Sequence, residues 1–260
     1  MLFLVDIGNT NVKLGVVREG ELVAHWRVAT NRTSMPDEWW VVVTTLAGAD
    51  GIRLDQIEGA VISSSVPSVT PWITTMVRER VGIEPIVVGS QTNLGITIDI
   101  DNPHEVGPDR LVDVAAAYAM FGGPTLVLDF GSATTLNVVT RDGRFVGGAI
   151  APDIRAAHDA LVSKAARLSS VELEFPARVI GHNTITAMQS GIMFGYAGLV
   201  EGLIDRIDAE LGERTTVIST GGFGGVFLEH CSRISQYVPE LTLEGLKLIW
   251  NRSQQTSPPG

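Results

Sequence analysis

Two short segments carry the residue types that phosphate chemistry needs: Asp6-Ile7-Gly8-Asn9-Thr10-Asn11 and Asp129-Phe130-Gly131-Ser132-Ala133-Thr134. In the first, Gly8 has no Cβ to hold a ligand away from the backbone. The turn then offers backbone N–H groups, the side-chain amides of Asn9 and Asn11 and the Thr10 hydroxyl as donors to phosphate oxygens. Asp6 ends an apolar run, where it can orient water on Mg²⁺, an ion that keeps much of its hydration and takes few carboxylates. Lys13 on the returning run can offset phosphate charge. In the second segment Gly131, Ser132, Ala133 and Thr134 form the matching loop, with Asp129 as the paired carboxylate. Two such loops facing each other make a clamp for a polyphosphate. Neither segment has the Walker spacing or G-x-G-x-x-G.

The segments are copies of one unit. LVDIGNTNVKLGVV (Leu4–Val17) aligns with VLDFGSATTLNVV (Val127–Val139), which sets Asp6 over Asp129 at an offset of 123 in a chain of 260 residues. A unit repeated once predicts two similar subdomains rather than a solenoid, which needs three or more repeats. The elements that must position the loops are readable from periodicity. Apolar runs bounded by Gly, Pro, Asp or Asn predict strands at Leu2–Val5, Val12–Val17, Leu22–Val28, Ala60–Ile62, Ile86–Val88, Leu126–Leu128 and Val217–Ser219. Helices are predicted from the start signal Ser34-x-Pro36-Asp37-Glu38, over Val66–Arg80, over Pro108–Phe121 and over Asn183–Leu211. The last places Met188, Ile192, Tyr196, Leu199, Leu203, Ile207 and Leu211 on one stripe of a helix about 40 Å long. Strands interleaved with helices give an α/β class. The expected division is residues 1–115, residues 116–252 and a disordered tail at 253–260.

Composition bounds the partners. A net charge of −10 works against nucleic-acid binding, whose affinity comes largely from phosphate attraction. No run reaches the ~18 apolar residues of a membrane helix, and the start MLFLVDIGNT lacks the basic end of a signal peptide. The single cysteine, Cys231, cannot form an internal disulfide, which fits a reducing cytoplasmic location. It reads as a buried, inert thiol. His25, His104, His158, His182 and His230 lack ligand spacing for a metal, and at least one of Trp39 and Trp40 is expected in the core.

The ordered motifs DIGNTNVKLG, SSSVPSV (Ser63–Val69), NPHEVGPDR (Asn102–Arg110), DFGSATT, GGAIAP (Gly147–Pro152), GHNTITAMQSGIMFG (Gly181–Gly195) and STGGF (Ser219–Phe223) closely resemble type III pantothenate kinase. That family lies within the acetate/sugar kinase, chaperone ATPase and actin superfamily. The resemblance implies a duplicated ribonuclease H-like, actin-like ATPase fold with a nucleotide cleft between two similar subdomains. It also implies ATP-dependent phosphorylation of pantothenate to 4′-phosphopantothenate at the entry to coenzyme A synthesis.

From the residues alone, Asp109 of Gly107-Pro108-Asp109-Arg110 is either a helix-capping carboxylate or a base, and Arg110 either pairs with Glu105 or Asp113 or grips a carboxylate. The resemblance makes Asp109 the catalytic base and Gly107, Pro108, Asp109 and Arg110 the pantothenate contacts. Thr184 is a helix-start residue by its position; the resemblance has it reach substrate from the neighbouring subunit of a homodimer. Gly221 and Gly222 resemble the adenosine-side turn. Mg²⁺ entering with ATP, and a monovalent cation (K⁺ or NH₄⁺) near Asp129, are implied in the same way.

Three positions depart from the family pattern: Asn137 where Asp is usual, Asp153 where Gly is frequent, and Ser132 for Thr. Ser132 keeps the hydroxyl. Asn137 removes a charge near the second loop, and Asp153 adds a side chain where the backbone approaches closely. These two leave open a non-catalytic regulator on the same fold, and a kinase for another small hydroxy acid is a further alternative.

Overall fold

The computed structural model describes residues 1–164 and 170–256. The chain divides into two compact units, one of residues 1–120, 143–145 and 240–260, the other of residues 121–142 and 146–239. This differs from a single cut near residue 115, because the C-terminal segment returns to the first unit.

The first unit contains β1 (Leu2–Ile7), β2 (Asn11–Arg18), β3 (Glu21–Ala29), α1 (Pro36–Ala49), β4 (Gly59–Ser64), α2 (Thr70–Met76), β5 (Ile86–Val87), β6 (Thr97–Ile98) and α3 (Pro108–Phe121). The second contains β7 (Thr125–Phe130), β8 (Ala133–Val139), most of β9 (Arg144–Pro152), α4 (Ile154–Lys164), α5 (Thr184–Leu211), β10 (Thr216–Gly221), α6 (Gly224–Leu228) and β11 (Gln236–Tyr237). The closing helix α7 (Leu241–Thr256) belongs to the first unit.

The duplication extends to the sheets. One sheet runs β3-β2-β1-β4-β5, and the other runs β9-β8-β7-β10-β11 with β6 added beside β9. In both, the first hairpin is antiparallel and the next strand joins parallel to the first. Every residue of β1 is buried, as a central strand covered on both faces requires. Odd positions of β1 (Phe3, Val5, Ile7) pack with Trp39 and Val43 of α1 and Ile73 and Met76 of α2. Trp39 is 3% exposed, so the expected core tryptophan is the first of the pair.

The other face of this sheet is flattened by glycines to receive α7. A Cβ on Gly15 would sit 3.1 Å from Leu243, and one on Gly59 would collide with the Trp250 ring. Gly245 lets α7 cross α3, since its Cβ would lie 2.5 Å from Val112. The tail expected from residue 253 is therefore helical to Thr256, held by the packing of Leu241, Leu243, Leu246 and Ile249. The rest of that tail, 257–260, lies outside the described residues.

Two other helices differ from the periodicity reading. The segment from Val66 becomes helical only at Thr70, because the Ser64 hydroxyl accepts from Val66 N–H and from the Thr70 hydroxyl (2.7 Å) and holds the intervening residues in a turn. The α5 stripe holds through Tyr196, then the buried line follows Val200 and Ile204. Leu199 is 37% exposed, while Leu203, Ile207 and Leu211 are partly buried at the core's edge. Steps of four drift round a 3.6-residue helix, so the buried line stays on a twisted sheet while Leu199 turns outward.

Cys231 is 1% exposed in the second unit's core, and burial pushes its thiol up to about 12, with Glu201 adding to the rise. It is expected to resist a thiol reagent at pH 8 in the native protein and to react at once in denaturant, measured by thiol titration. The sign follows from the raised folded value. The stabilising contribution is complete below the ordinary thiol range and is lost as pH climbs towards the folded value.

Candidate active site

The first loop is closed by Gly8 N–H donating to the Asn11 carbonyl at 3.0 Å, and the second by Gly131 N–H donating to the Ala133 carbonyl at 3.1 Å. The second turn is one residue shorter: Ile7 pairs with Val12, whereas Phe130 pairs with Thr134. Asn9, Thr10 and Asn11 are exposed, as are Gly131 and Ser132. Arg32 donates to the Asn9 side-chain oxygen at 2.9 Å, and the Thr30 hydroxyl donates to the Gly8 carbonyl at 2.6 Å, so β3 and the segment after it brace the first loop.

Register places each loop carboxylate between two polar neighbours. Asp6 stands opposite Lys13 on β2 and Ser63 on β4. Asp129 stands opposite Thr135 on β8 and Thr220 on β10. Lys13 reaches the Thr242 hydroxyl of α7 at 3.3 Å. Ser63 and Thr220 are at most 1% exposed, and neither hydroxyl has a hydrogen-bond partner among the described residues. A buried hydroxyl without a partner is costly, and here one recurs beside each of the two carboxylates.

In the first unit the same strand end meets the Gly107–Arg110 motif. Ser65, just beyond β4, donates its N–H to the Ile7 carbonyl at 2.9 Å. Its hydroxyl, also buried without a partner among the described residues, lies 3.6 Å from where a Gly107 Cβ would stand. That same position would collide with Asp109 Oδ1. A Cβ at Gly107 would therefore push the Asp109 carboxylate aside, while the Ser65 hydroxyl would stand in ordinary contact with it. Pro108 opens α3, and Asp109 Oδ1 accepts from Arg110 N–H at 2.9 Å, which orients the carboxylate from the helix start. The Arg110 guanidinium lies 5.8 Å from the Phe145 ring centroid. Burial lowers its pKa, the Asp109 charge opposes this, and an arginine stays protonated regardless.

In the second unit two glycines straddle Asp129. A Cβ on Gly221 would lie 2.5 Å from Asp129 Oδ1, and one on Gly131 would lie 3.0 Å from Oδ2. Gly221 has φ of 81°, a left-handed conformation, and Gly222 N–H donates to the Phe130 carbonyl at 3.0 Å. Gly222 is exposed, with nothing within 4 Å of its Cβ position. Ala133 is half-buried, while Thr134 is fully buried with its hydroxyl 3.0 Å from Tyr196 Oη. Thr134 occupies the strand position of Val12 in the first copy, so it serves the loop from beneath rather than from its surface.

The departures also resolve into contacts. Asn137 is 1% exposed and its amide donates to the Thr135 hydroxyl at 2.9 Å, so it fixes the residue facing Asp129. The Asp153 carbonyl accepts from Ala157 N–H at 3.0 Å in the first turn of α4. Thr184 is the first residue of α5 and exposed; the cap is Asn183, whose side chain accepts from Thr186 N–H at 2.9 Å. Thr184 lines a groove of about 920 Å³ with Pro152, Leu161, Met188, Tyr196 and Leu199. Among the described residues no cluster of three or more His, Cys, Asp or Glu could hold a metal, and no helix is long and apolar enough to cross a membrane.

Ser63, Ser65 and Thr220 lie within the sequence motifs and Tyr196 on the predicted helix stripe, yet nothing local in the sequence marks a site role for them. Their roles depend on strand order and on which helix covers which strand.

Comparisons with known proteins identify the family and the fold. The type III pantothenate kinase profile matches residues 2–206. The chain is 44% identical over 253 residues to the type III pantothenate kinase of Moorella thermoacetica, covering 97% of this chain and all of that one. It is 47% identical over 255 residues to that of Roseiflexus sp. RS-1, again covering 97% of this chain and all of the relative. In fold it is similar to the ethanolamine utilization protein EutJ of Carboxydothermus hydrogenoformans, with a TM-score of 0.56 at 19% identity over 95% of this chain and 89% of that one. The sheets have the duplicated actin-like ATPase order, the motifs run in sequence from the first loop to α5, and the chain belongs to the type III pantothenate kinase family.

Proposed function

We propose that this kinase transfers the γ-phosphoryl group of ATP to the primary hydroxyl of pantothenate, with Asp109 as general base. The observation that carries the reading is the convergence of the Asp109 carboxylate and the Ser65 hydroxyl on Gly107, one hydrogen bond away from the first loop. Asp109 accepts the hydroxyl proton as that oxygen attacks phosphorus and the bond to the ADP oxygen breaks. Phosphoryl transfer is catalysed chiefly by positioning and charge stabilisation, so the base supplies part of the rate and the loops supply the rest. Arg110 binds the pantothenate carboxylate, for which its planar fork is suited. Gly107 and Pro108 shape the turn that presents both side chains.

Gly8, Asn9, Thr10 and Asn11 with Gly131, Ser132 and Ala133 hold the ATP phosphates, Lys13 offsets their charge, and Gly221 and Gly222 accept the nucleoside side. The donor sets fit hard cations: a carboxylate and a buried hydroxyl at Asp6 and Ser63, and again at Asp129 and Thr220. By the family resemblance, Asp6 would hold Mg²⁺ through water and Asp129 would hold a monovalent cation, K⁺ or NH₄⁺. Such cations neutralise phosphate oxygens. This local charge matters in a protein of net charge −10.

The assembly is a homodimer in which Thr184 completes the partner's pantothenate site. Supporting it, α5 exposes Ala187, Gly191, Gly195 and Gly198 beside Ile185 and Leu199, a face of small residues that lets another helix approach closely. The working location is the cytoplasm. Purified protein with ATP, Mg²⁺ and K⁺ tests the reading against a panel of small hydroxy acids. Phosphopantothenate should form in preference to other products; nucleotide binding without turnover, or equal turnover of another alcohol, overturns it.

A further inference from the structure

The second loop has a buried threonine beneath it where the first has Val12. This threonine, Thr134, is fully buried, with its hydroxyl 3.0 Å from Tyr196 Oη. The Tyr196 hydroxyl also donates to the Pro152 carbonyl, at the junction of β9 and α4. A phenol has one proton. Donated to the carbonyl, it leaves the phenol oxygen free to accept the Thr134 proton, so three segments are tied at one atom.

Tyr196 is itself 6% exposed on α5, with its ring in edge contact with Phe227 and on the wall of the groove that Thr184 opens. Burial raises its pKa and the Asp153 charge adds to this, while the Thr134 hydrogen bond opposes it. The hydroxyl therefore keeps its proton at neutral pH. An apolar pair, as at Val12, would fill this place at less cost than two buried hydroxyls, since buried polar groups must be matched to one another.

We propose that Tyr196 is a positioning residue for ATP: acting through Thr134, it sets the Gly131–Thr134 turn and links its geometry to the groove face of α5. The inference rests on the reading of that turn as a phosphate loop. Its action runs through Thr134: it fixes the strand start from which the loop N–H groups are aimed. Because the same side chain lines the groove, whatever packs against α5 bears on the loop through this hydroxyl.

The test is a double-mutant cycle with Tyr196→Phe, which keeps the ring and its packing, and Thr134→Val, which keeps the shape. Each single variant should raise the KM for ATP about fivefold, the scale of one lost buried hydrogen bond, with a smaller change in the KM for pantothenate. The pair together should do no more than the worse single change. ATP-induced thermal stabilisation, read without turnover, should weaken in parallel. Multiplying effects, or a lower melting temperature with an unchanged KM for ATP, would overturn the coupling. Asp129→Asn separates the two readings. If it leaves ATP affinity untouched, the loop assignment itself fails; if it weakens ATP binding while Tyr196→Phe does not, only the Tyr196 inference fails.

Discussion

Asp109→Asn is expected to lower phosphopantothenate formation by about 10²–10⁴-fold while the protein stays folded, the range that a positioned general base supplies. The asparagine is isosteric, and its amide oxygen can still accept from Arg110 N–H as Asp109 Oδ1 does now. The orientation at the start of α3 therefore survives and only the proton-accepting ability is lost. Steady-state kinetics should show the loss in kcat, with the KM for ATP changed little, because the nucleotide loops are built from other residues. Wild-type turnover would remove Asp109 from the chemistry and leave it a helix-start residue. Gly107→Ala provides a check of a different kind. Its methyl group would strike the same carboxylate without altering charge, so it should reproduce much of the Asp109→Asn loss.

The part of this site that could be read from sequence is the part that is local. The hairpins of β1–β2 and β7–β8 announce themselves because a buried strand, a glycine turn and a returning strand follow one another directly in sequence, over Leu2–Arg18 and Thr125–Val139. The bounds of α3 are legible because Gly107-Pro108-Asp109 is a helix start by composition. β9 was hidden by Gly147 and Gly148, which interrupt the apolar pattern. Gly148 is there because its Cβ would overlap the Leu136 carbonyl. Gly245 likewise masks α7, and its reason lies on α3, more than a hundred residues earlier. Ser63 and Thr220 show the general limit. Each is significant only as the neighbour of a carboxylate on another strand, and no local pattern encodes which strands are neighbours.

Those cross-strand positions give the second large effect, at Gly221. Gly221→Ala is expected to cost about 2 kcal/mol or more of stability and to raise the KM for ATP at least about tenfold. Two independent causes add. At φ of 81° a Cβ is strained, by roughly 1–2 kcal/mol for a residue forced into the left-handed region. The same Cβ would stand 2.5 Å from both Asp129 Oδ1 and the Phe130 carbonyl oxygen. Because the second of these is backbone in the central strand, the strand end or the turn must move. Either movement displaces Asp129 from between its two glycines, so the nucleotide should feel the substitution as strongly as the fold does. Gly222→Ala separates these causes from a general intolerance of side chains in the turn. Its Cβ meets nothing within 4 Å and its φ is unexceptional, so its stability should change by no more than about 0.5 kcal/mol. Thermal melts of the two variants and their ATP kinetics decide the matter: a Gly221→Ala protein that melts and binds ATP like the unaltered chain would show that the approach of β10 to Asp129 is incidental to the site.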